Sequence, residues 1–270
     1  MPKILAAVLY LLVSVSTLHA DDYAPFKYKL KVFVEGADFY WDEHYNGEKL
    51  LQEDGIIWGT GFTFQYLTRK SNTSEDDPYR LTYGGTLRLN FGKVDYDGQT
   101  QDGTPAQTKV NYFGATVEGH LGWLCKTSKE WLFVEPNINL GFSPWSRDIQ
   151  SNDFATGYTE NWIDLYSKAG LAFAFPFKPD FMLNLSGGAI VPLWVRNTVD
   201  LGGTITLEPK AFIPSPYVDA TFEYKRFGLC FFYESFQFGE SDRVYVGNYY
   251  YLQPDSYTYR WGLRLTFAIF

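Results

Sequence analysis

Apolar side chains return at every second position in ten separate stretches of this chain, and that period constrains its fold more than any other feature. Period two is the repeat of a β-strand, whose successive side chains leave on opposite faces. The cleanest stretch sets Leu81, Tyr83, Leu87, Leu89 and Phe91 against Arg80, Thr82, Thr86, Arg88 and Asn90. The same reading predicts strands from Tyr28 to Val34, Trp58 to Tyr66, Phe113 to Trp123, Leu132 to Leu140 and Ile163 to Phe175. Others follow from Phe181 to Leu193, Val218 to Tyr224, Phe227 to Phe238 and Trp261 to Ile269. The stretch from Phe227 to Phe238 is apolar on both faces, so its register stays open. Pro136 inside the fifth strand implies a bulge or weak pairing there, because proline cannot donate to a ladder.

The connections alternate in length. Phe39 to Gly55, Gly92 to Thr108, Ser143 to Asn161, Arg196 to Lys210 and Gly239 to Thr258 are long and polar, whereas Lys126 to Lys129, Phe177 to Asp180 and Lys225-Arg226 are short, with Leu67 to Tyr79 the one longer exception. An even number of strands with short turns on one side and long loops on the other predicts a transmembrane up-and-down antiparallel β-barrel of about ten strands. Phe, Trp and Tyr make up 19% of the chain although its mean hydropathy is −0.22, so the rings serve something besides a dry core. Tyr66, Trp123, Trp131, Trp162, Trp194 and Trp261 fall near strand ends, as interfacial girdles would.

The first twenty residues put Lys3 before an apolar run from Ile4 to Val15 and end at Ala20, the pattern of a secretory signal peptide. Cleavage near Ala20 leaves residues 21–270 as one barrel domain with a formal charge of −9. That acidity excludes nucleic acid as a partner, since phosphate binding needs a basic surface. The two cysteines, Cys125 and Cys230, have no metal-ligand spacing, and no metal or cofactor is expected.

The closing stretch from Tyr257, with Trp261, Leu263, Leu265 and Phe267 alternating before a terminal Phe270, resembles the C-terminal insertion signal of Gram-negative outer-membrane β-barrel proteins. That resemblance implies a bacterial outer-membrane location, contact with outer-membrane lipid and lipopolysaccharide, and assembly by the barrel-insertion machinery. Phe270 departs from the class pattern, being out of phase with Ile269 and Phe267. Ten strands also resemble the omptins, outer-membrane proteases whose site pairs Asp-x-Asp with Asp-x-His. Asp95 and Asp97 match the first half, but no Asp-x-His follows them: the one in the chain, Asp42-Glu43-His44, lies before them, so the order of the two motifs departs from the family's.

The inward face predicted from the alternation carries both signs of charge: Glu35, Arg80, Arg88, Glu118, His120, Glu135, Asp164, Lys168, Asp219, Glu223, Arg260 and Arg264. A bore of about ten strands lies near the size that side chains fill, so these groups either pair and plug it or line a narrow selective pore. His120 with Glu118 and Ser186 is the one set that could support an outer-membrane hydrolase. Counted over Tyr40–Gly55, Gly92–Lys109, Ser143–Asn161, Val195–Ala211 and Gly239–Thr258, the long segments together carry the full −9, and Tyr245, Tyr249, Tyr250 and Tyr251 in the last of them offer aromatic contact area to an extracellular ligand. A surface-interaction or structural role through these loops is therefore the leading expectation, ahead of the pore and the hydrolase.

Overall fold

The computed structural model describes residues 28–67, 79–99, 103–127, 132–153, 155–178, 180–200 and 203–269. The signal segment, Trp131 and Phe270 lie outside the described residues. Thirteen strands form: β1 (Tyr28–Tyr45), β2 (Glu48–Leu67), β3 (Tyr79–Gln99), β4 (Pro105–Lys126), β5 (Phe133–Ile149), β6 (Tyr158–Lys178) and β7 (Phe181–Asp200), then β8 (Thr204–Leu207), β9 (Ser215–Tyr224), β10 (Phe227–Phe238), β11 (Val244–Val246), β12 (Tyr249–Tyr251) and β13 (Asp255–Ala268). Each of the first seven pairs antiparallel with the next, β7 pairs with β9, β9 with β10, β10 with β13, and β13 returns to β1. The sheet thus closes as an antiparallel barrel of ten strands. Closure leaves the barrel wall no unpaired edge.

The short strands are pieces of longer ones. Both β8 and β9 run antiparallel to β7, so they form one strand interrupted at residues 208–214. Phe212 sits in that interruption at φ 67°, anchored by its N–H donating to the Pro192 carbonyl at 2.8 Å. β11 and β12 form a separate hairpin above β10 and β13.

Two ends are distinguished by their connections. The near end holds Tyr28, Ala268 and the tight turn at Lys225-Arg226, and the far end holds hairpins that extend well past the middle of the barrel. Most of the residues expected as long polar loops are in fact strand. β1 and β2 stay paired to Tyr45↔Glu48 and turn through Asn46 and Gly47, both at positive φ (52° and 82°), as a two-residue hairpin requires. The β3–β4 ladder likewise runs to Gln99↔Pro105.

Alternation persists along these long strands, but the apolar face changes side. In β1, Lys29, Lys31 and Glu35 point inward below, whereas Ala37, Phe39 and Trp41 are buried inside above, with Asp38 exposed outside. β3 and β4 do the same: Leu89, Phe91, Phe113 and Val117 are exposed on the outer wall, and beyond them Val94, Tyr96, Val110 and Tyr112 are buried inside. Below the switch the outer wall is an apolar belt, with Trp58 56%, Leu140 56%, Phe231 50% and Leu265 58% exposed. Water would not leave such a surface uncovered in a monomer, and lipid solvates it. Above the switch the barrel has the polar exterior and dry interior of a soluble protein. Its core gathers Phe39, Trp41, Ile57, Val94, Val110, Tyr112, Trp162, Val195 and Phe238.

Two sequence expectations change, and two that were left open resolve, Pro136 as weak pairing. Trp162 belongs to that interior core, 1% exposed and stacked 5.1 Å from Trp145, and is no part of a girdle. The stretch Asp95-Tyr96-Asp97-Gly98 is strand, with Asp95 and Asp97 exposed outside and Tyr96 buried inside. Pro136 loses its pairing toward β4 without shifting the register, so no bulge forms. The open register of Phe227 to Phe238 resolves with Cys230, Phe232 and Glu234 inward and Phe231 outward.

Candidate functional site

Inward alternation below the switch places the charged residues of many strands inside one narrow bore. At the near end Glu223 of β9 accepts from Lys29 and Lys31 of β1, and from Asn184 of β7 at 3.1 Å. On the β3–β5 wall, Glu135 accepts from Thr82 at 2.6 Å and lies 2.8 Å from His120 Nε2, while His120 Nδ1 lies 2.7 Å from Asn139.

The middle of the bore holds a network that reaches from wall to wall. Glu234 of β10 pairs with Arg260 of β13, with Lys168 of β6 at 2.8 Å and with Arg88 of β3 at 3.4 Å. Glu35 of β1 pairs with Arg264 at 2.7 Å, Arg260 at 3.5 Å and Arg88 at 3.9 Å. Lys168 also pairs with Glu118 at 3.0 Å, and the Tyr166 hydroxyl donates to Glu118 at 3.0 Å. Asp219 accepts from Ser186 at 3.2 Å. Glu35, Arg88, Glu118, Lys168, Glu234, Arg260 and Arg264 each meet an opposite charge, which offsets a desolvation cost that would otherwise reach several kcal/mol per ion. Arg80 is half-buried and takes part in none of these contacts.

Most of the predicted inward residues are therefore brought into contact with one another, whereas Arg80 and Asp164 take no part in these pairs. Glu234, the hub, was missed because its strand is apolar on both faces and the register could not be read.

A second ionic cluster lies above the switch, in segments expected to be loops. Arg147 of β5, fully buried, pairs with Glu53 of β2, with Glu160 of β6 at 2.9 Å and with Glu43 of β1 at 3.2 Å. Trp41 and Trp162 donate their indole N–H groups to Glu43 and Glu160 at 3.0 and 2.9 Å. One cation faces three acids. Burial pushes the Glu43 carboxyl up to about 7 against the pull of Arg147, and burial likewise raises Glu53. Burial opposes the charge on Arg147, yet Glu160, Glu53 and Glu43 hold its pKa well above the ordinary value.

Between the two ionic layers lies a cavity of about 120 Å³, walled by Trp41, Tyr112, Trp145, Tyr166 and Phe236, with Arg88 and Glu234 also in its lining. Asp164 opens onto it, accepting from Trp145 Nε1 at 2.8 Å.

The sets Asp95 with Asp97 and His120 with Ser186 are not assembled into catalytic arrangements. Asp95 and Asp97 face outward, and Asp95 pairs with Lys109 on the exterior. Ser186 bonds Asp219 rather than His120. The hydroxyl within reach of His120 is that of Thr82 at 3.5 Å, and it donates to Glu135. Among the described residues no group of His, Cys, Asp and Glu could hold a metal, and both cysteines are free.

The tyrosines of the last long segment form the β11–β12 hairpin, with Tyr245 and Tyr249 each 70% and Tyr250 47% exposed and Tyr251 half-buried. Arg243 stacks on Tyr250 at 4.7 Å. Trp261, Leu263 and Leu265 face outward on the belt, and Phe267, 7% exposed, is covered by Phe227 at 5.2 Å.

No family model matches the chain, and no curated protein matches it in sequence. Solved structures do match in shape. The outer membrane protease OmpT from Escherichia coli superposes with a TM-score of 0.52 at 11% identity, over 93% of this chain and 99% of that one. The transport unit of the autotransporter AIDA-I from Escherichia coli gives 0.43 at 12% identity, over 96% of each chain. The translocator domain of the autotransporter NalP from Neisseria meningitidis gives 0.40 at 11% identity, over 97% and 95%. At 11% identity the likeness to OmpT is one of fold, and the fold is that of the outer-membrane β-barrels.

Proposed function

We propose that this chain is an integral outer-membrane protein whose barrel is closed to ions and whose work is done at its far, extracellular end, by surface interaction or as a structural element. The observation that carries the reading is the Arg88–Glu234 contact at 3.4 Å, which joins β3 to β10 across the bore. With Lys168, Arg260 and Glu35 tied into the same network, the charges of the middle of the bore are matched by one another. A selective pore would instead leave charges facing a water path.

What the barrel offers outward supports the same reading. Its apolar belt suits outer-membrane lipid, with lipopolysaccharide and the barrel-insertion machinery as the further expected partners. Above the belt the hairpins stand clear of the membrane, and the β11–β12 tyrosines present rigid amphipathic area of the kind that binds glycans and proteins. His120 has Glu135 and Asn139 as its close neighbours, and the Thr82 hydroxyl 3.5 Å away is turned to Glu135, so the enzymatic alternative gains no support from the site.

The test is single-channel recording in a planar bilayer on the mature chain, after heat-modifiable gel migration shows that it has folded. A silent membrane is expected. Discrete ion-selective steps would replace this reading with the pore. On intact cells, added protease should cut within residues 244–251, and protection there would place the hairpin on the wrong side.

A further inference from the structure

The cavity between the two ionic layers contains a group that the rest of the protein leaves unanswered. Asp164 is 6% exposed, and its Oδ2 accepts the Trp145 indole N–H at 2.8 Å. Its Oδ1 is buried without any hydrogen-bond partner. Unlike Glu35, Glu118, Glu223 and Glu234, each paired with at least one lysine or arginine, Asp164 has no cationic partner among the described residues. A buried carboxylate held by a single neutral donor is costly to keep, and it attracts a cation into its site.

The surroundings define what kind of cation fits. Trp145 stands beside Asp164, and Trp41, Tyr112 and Tyr166 complete the walls. Trp41 and Tyr112 lie 5.6 and 5.7 Å from Trp145, so the rings form a continuous aromatic surface around the open carboxylate oxygen. Aromatic faces favour an organic cation over a hydrated metal ion, because the ring quadrupole attracts the charge while the walls exclude its water. An acceptor oxygen without a partner asks for an N–H donor. The space, about 120 Å³, compares with the roughly 150 Å³ cavity that admits benzene. A second buried atom without a partner, the Nε of Arg88, belongs to the same lining. Its charge is already matched by Glu35 and Glu234, so it calls for a neutral acceptor such as a hydroxyl.

We propose that this cavity binds a small protonated amine carrying an apolar group about the size of one ring, with the ammonium on Asp164 and the apolar part against Trp41 and Trp145. The ligand class follows from three features acting together: an unpaired carboxylate, aromatic walls and a limited volume. Being inside the barrel, this site is separate from the hairpin tyrosines, and it can fail without touching the reading of the far end.

Titration calorimetry on the full-length mature chain folded in detergent micelles tests it, with benzylamine as the probe and benzyl alcohol as its uncharged counterpart of the same shape. Benzylamine is expected to bind saturably with a stoichiometry near one, and benzyl alcohol at least tenfold more weakly. Empty micelles supply the partition blank. Asp164→Asn keeps an acceptor for Trp145 and removes the charge, so it should fold and lose benzylamine at least tenfold. Should that variant not fold, the charged and neutral probes on the unaltered chain still decide. Equal heats for both probes, equal binding in Asp164→Asn, or no saturable binding at all would overturn the proposal.

Discussion

Arg147 on β5 reaches across the upper bore to Glu43 on β1, four strands away around the barrel, with 3.2 Å between the guanidinium Nη1 and the carboxylate. The arginine is wholly buried and Glu53 and Glu160 share it, so the cluster carries more negative than positive charge when all four groups are ionised. A proton reduces the excess: burial raises Glu43 to about 7, whereas its ordinary value is 4.5.

That proton links stability to pH with a definite sign. Between about 4.5 and 7 the folded protein keeps a proton on Glu43 that the unfolded chain has released. The folded state binds more protons there, so Glu43's contribution to stability is full below 4.5 and falls as pH rises toward 7. Glu43→Gln fixes the protonated form. The variant should resist urea better than the unaltered chain at pH 8, with the difference shrinking toward zero at pH 4.5. Urea midpoints followed by tryptophan emission measure this, and a variant less stable at pH 8 would contradict the proton assignment.

Removing the cation from the same cluster works in the opposite direction. Arg147→Met leaves Glu43, Glu53 and Glu160 as buried acids with no counter-charge, a change that costs about 3–5 kcal/mol. The exterior pair Lys109–Asp95, whose side chains are 53% and 69% exposed, is the control, since Asp95→Ala should cost less than about 1 kcal/mol. The ratio of the two losses, read from the same urea curves, separates a load on the interior ions from a general sensitivity to lost charge.

Deleting residues 244–251 should leave the barrel intact. β11 and β12 pair only with each other in the sheet, and the β10–β13 ladder closes below them through Phe238↔Ser256. Heat-modifiable migration should be unchanged, because no barrel ladder loses a partner. Loss of the folded band would show that the hairpin supports the wall.

Much of the barrel could be read from the alternation, and the physical reason for the rest lies at the switch. Below it, Leu89 and Phe91 outside and Arg88 and Asn90 inside announce a strand with a lipid face. Above it, the pattern of β3 continues as Lys93, Asp95 and Asp97 outside with Val94 and Tyr96 inside. Charged residues at every second position look like loop to a reader expecting apolar residues outside, so Arg147, Glu43, Glu53 and Glu160 were assigned to loops. The inward charges were legible because each stood opposite a clear apolar face. Glu234 was not, because Phe231, Phe232, Tyr233, Phe236 and Phe238 surround it on both faces. Asp164 was legible as inward, yet its lack of a partner depends on distances that no spacing encodes.

Gly141 and Tyr166 face each other across the β5–β6 ladder, and a Cβ built on Gly141 would lie 2.1 Å from the Tyr166 ring. The ring therefore lies over the glycine, which is the reason for a residue without a side chain at an inward, fully covered position. Tyr166 in that pose donates to Glu118, walls the amine cavity and packs against Phe236 at 5.3 Å. Gly141→Val must push the ring away, breaking the Glu118 bond and overfilling the bore, at about 1–3 kcal/mol. Gly119, exposed on the outer face of the neighbouring strand, where a Cβ would meet nothing closer than the Leu140 carbonyl at 3.9 Å, is the control for adding a side chain without a clash. Gly119→Ala should keep the urea midpoint, whereas Gly141→Val should lower it and weaken benzylamine binding together. A Gly141→Val chain as stable as the unaltered one would mean that Tyr166 has a second resting place, and that the cavity wall is not fixed by this pair.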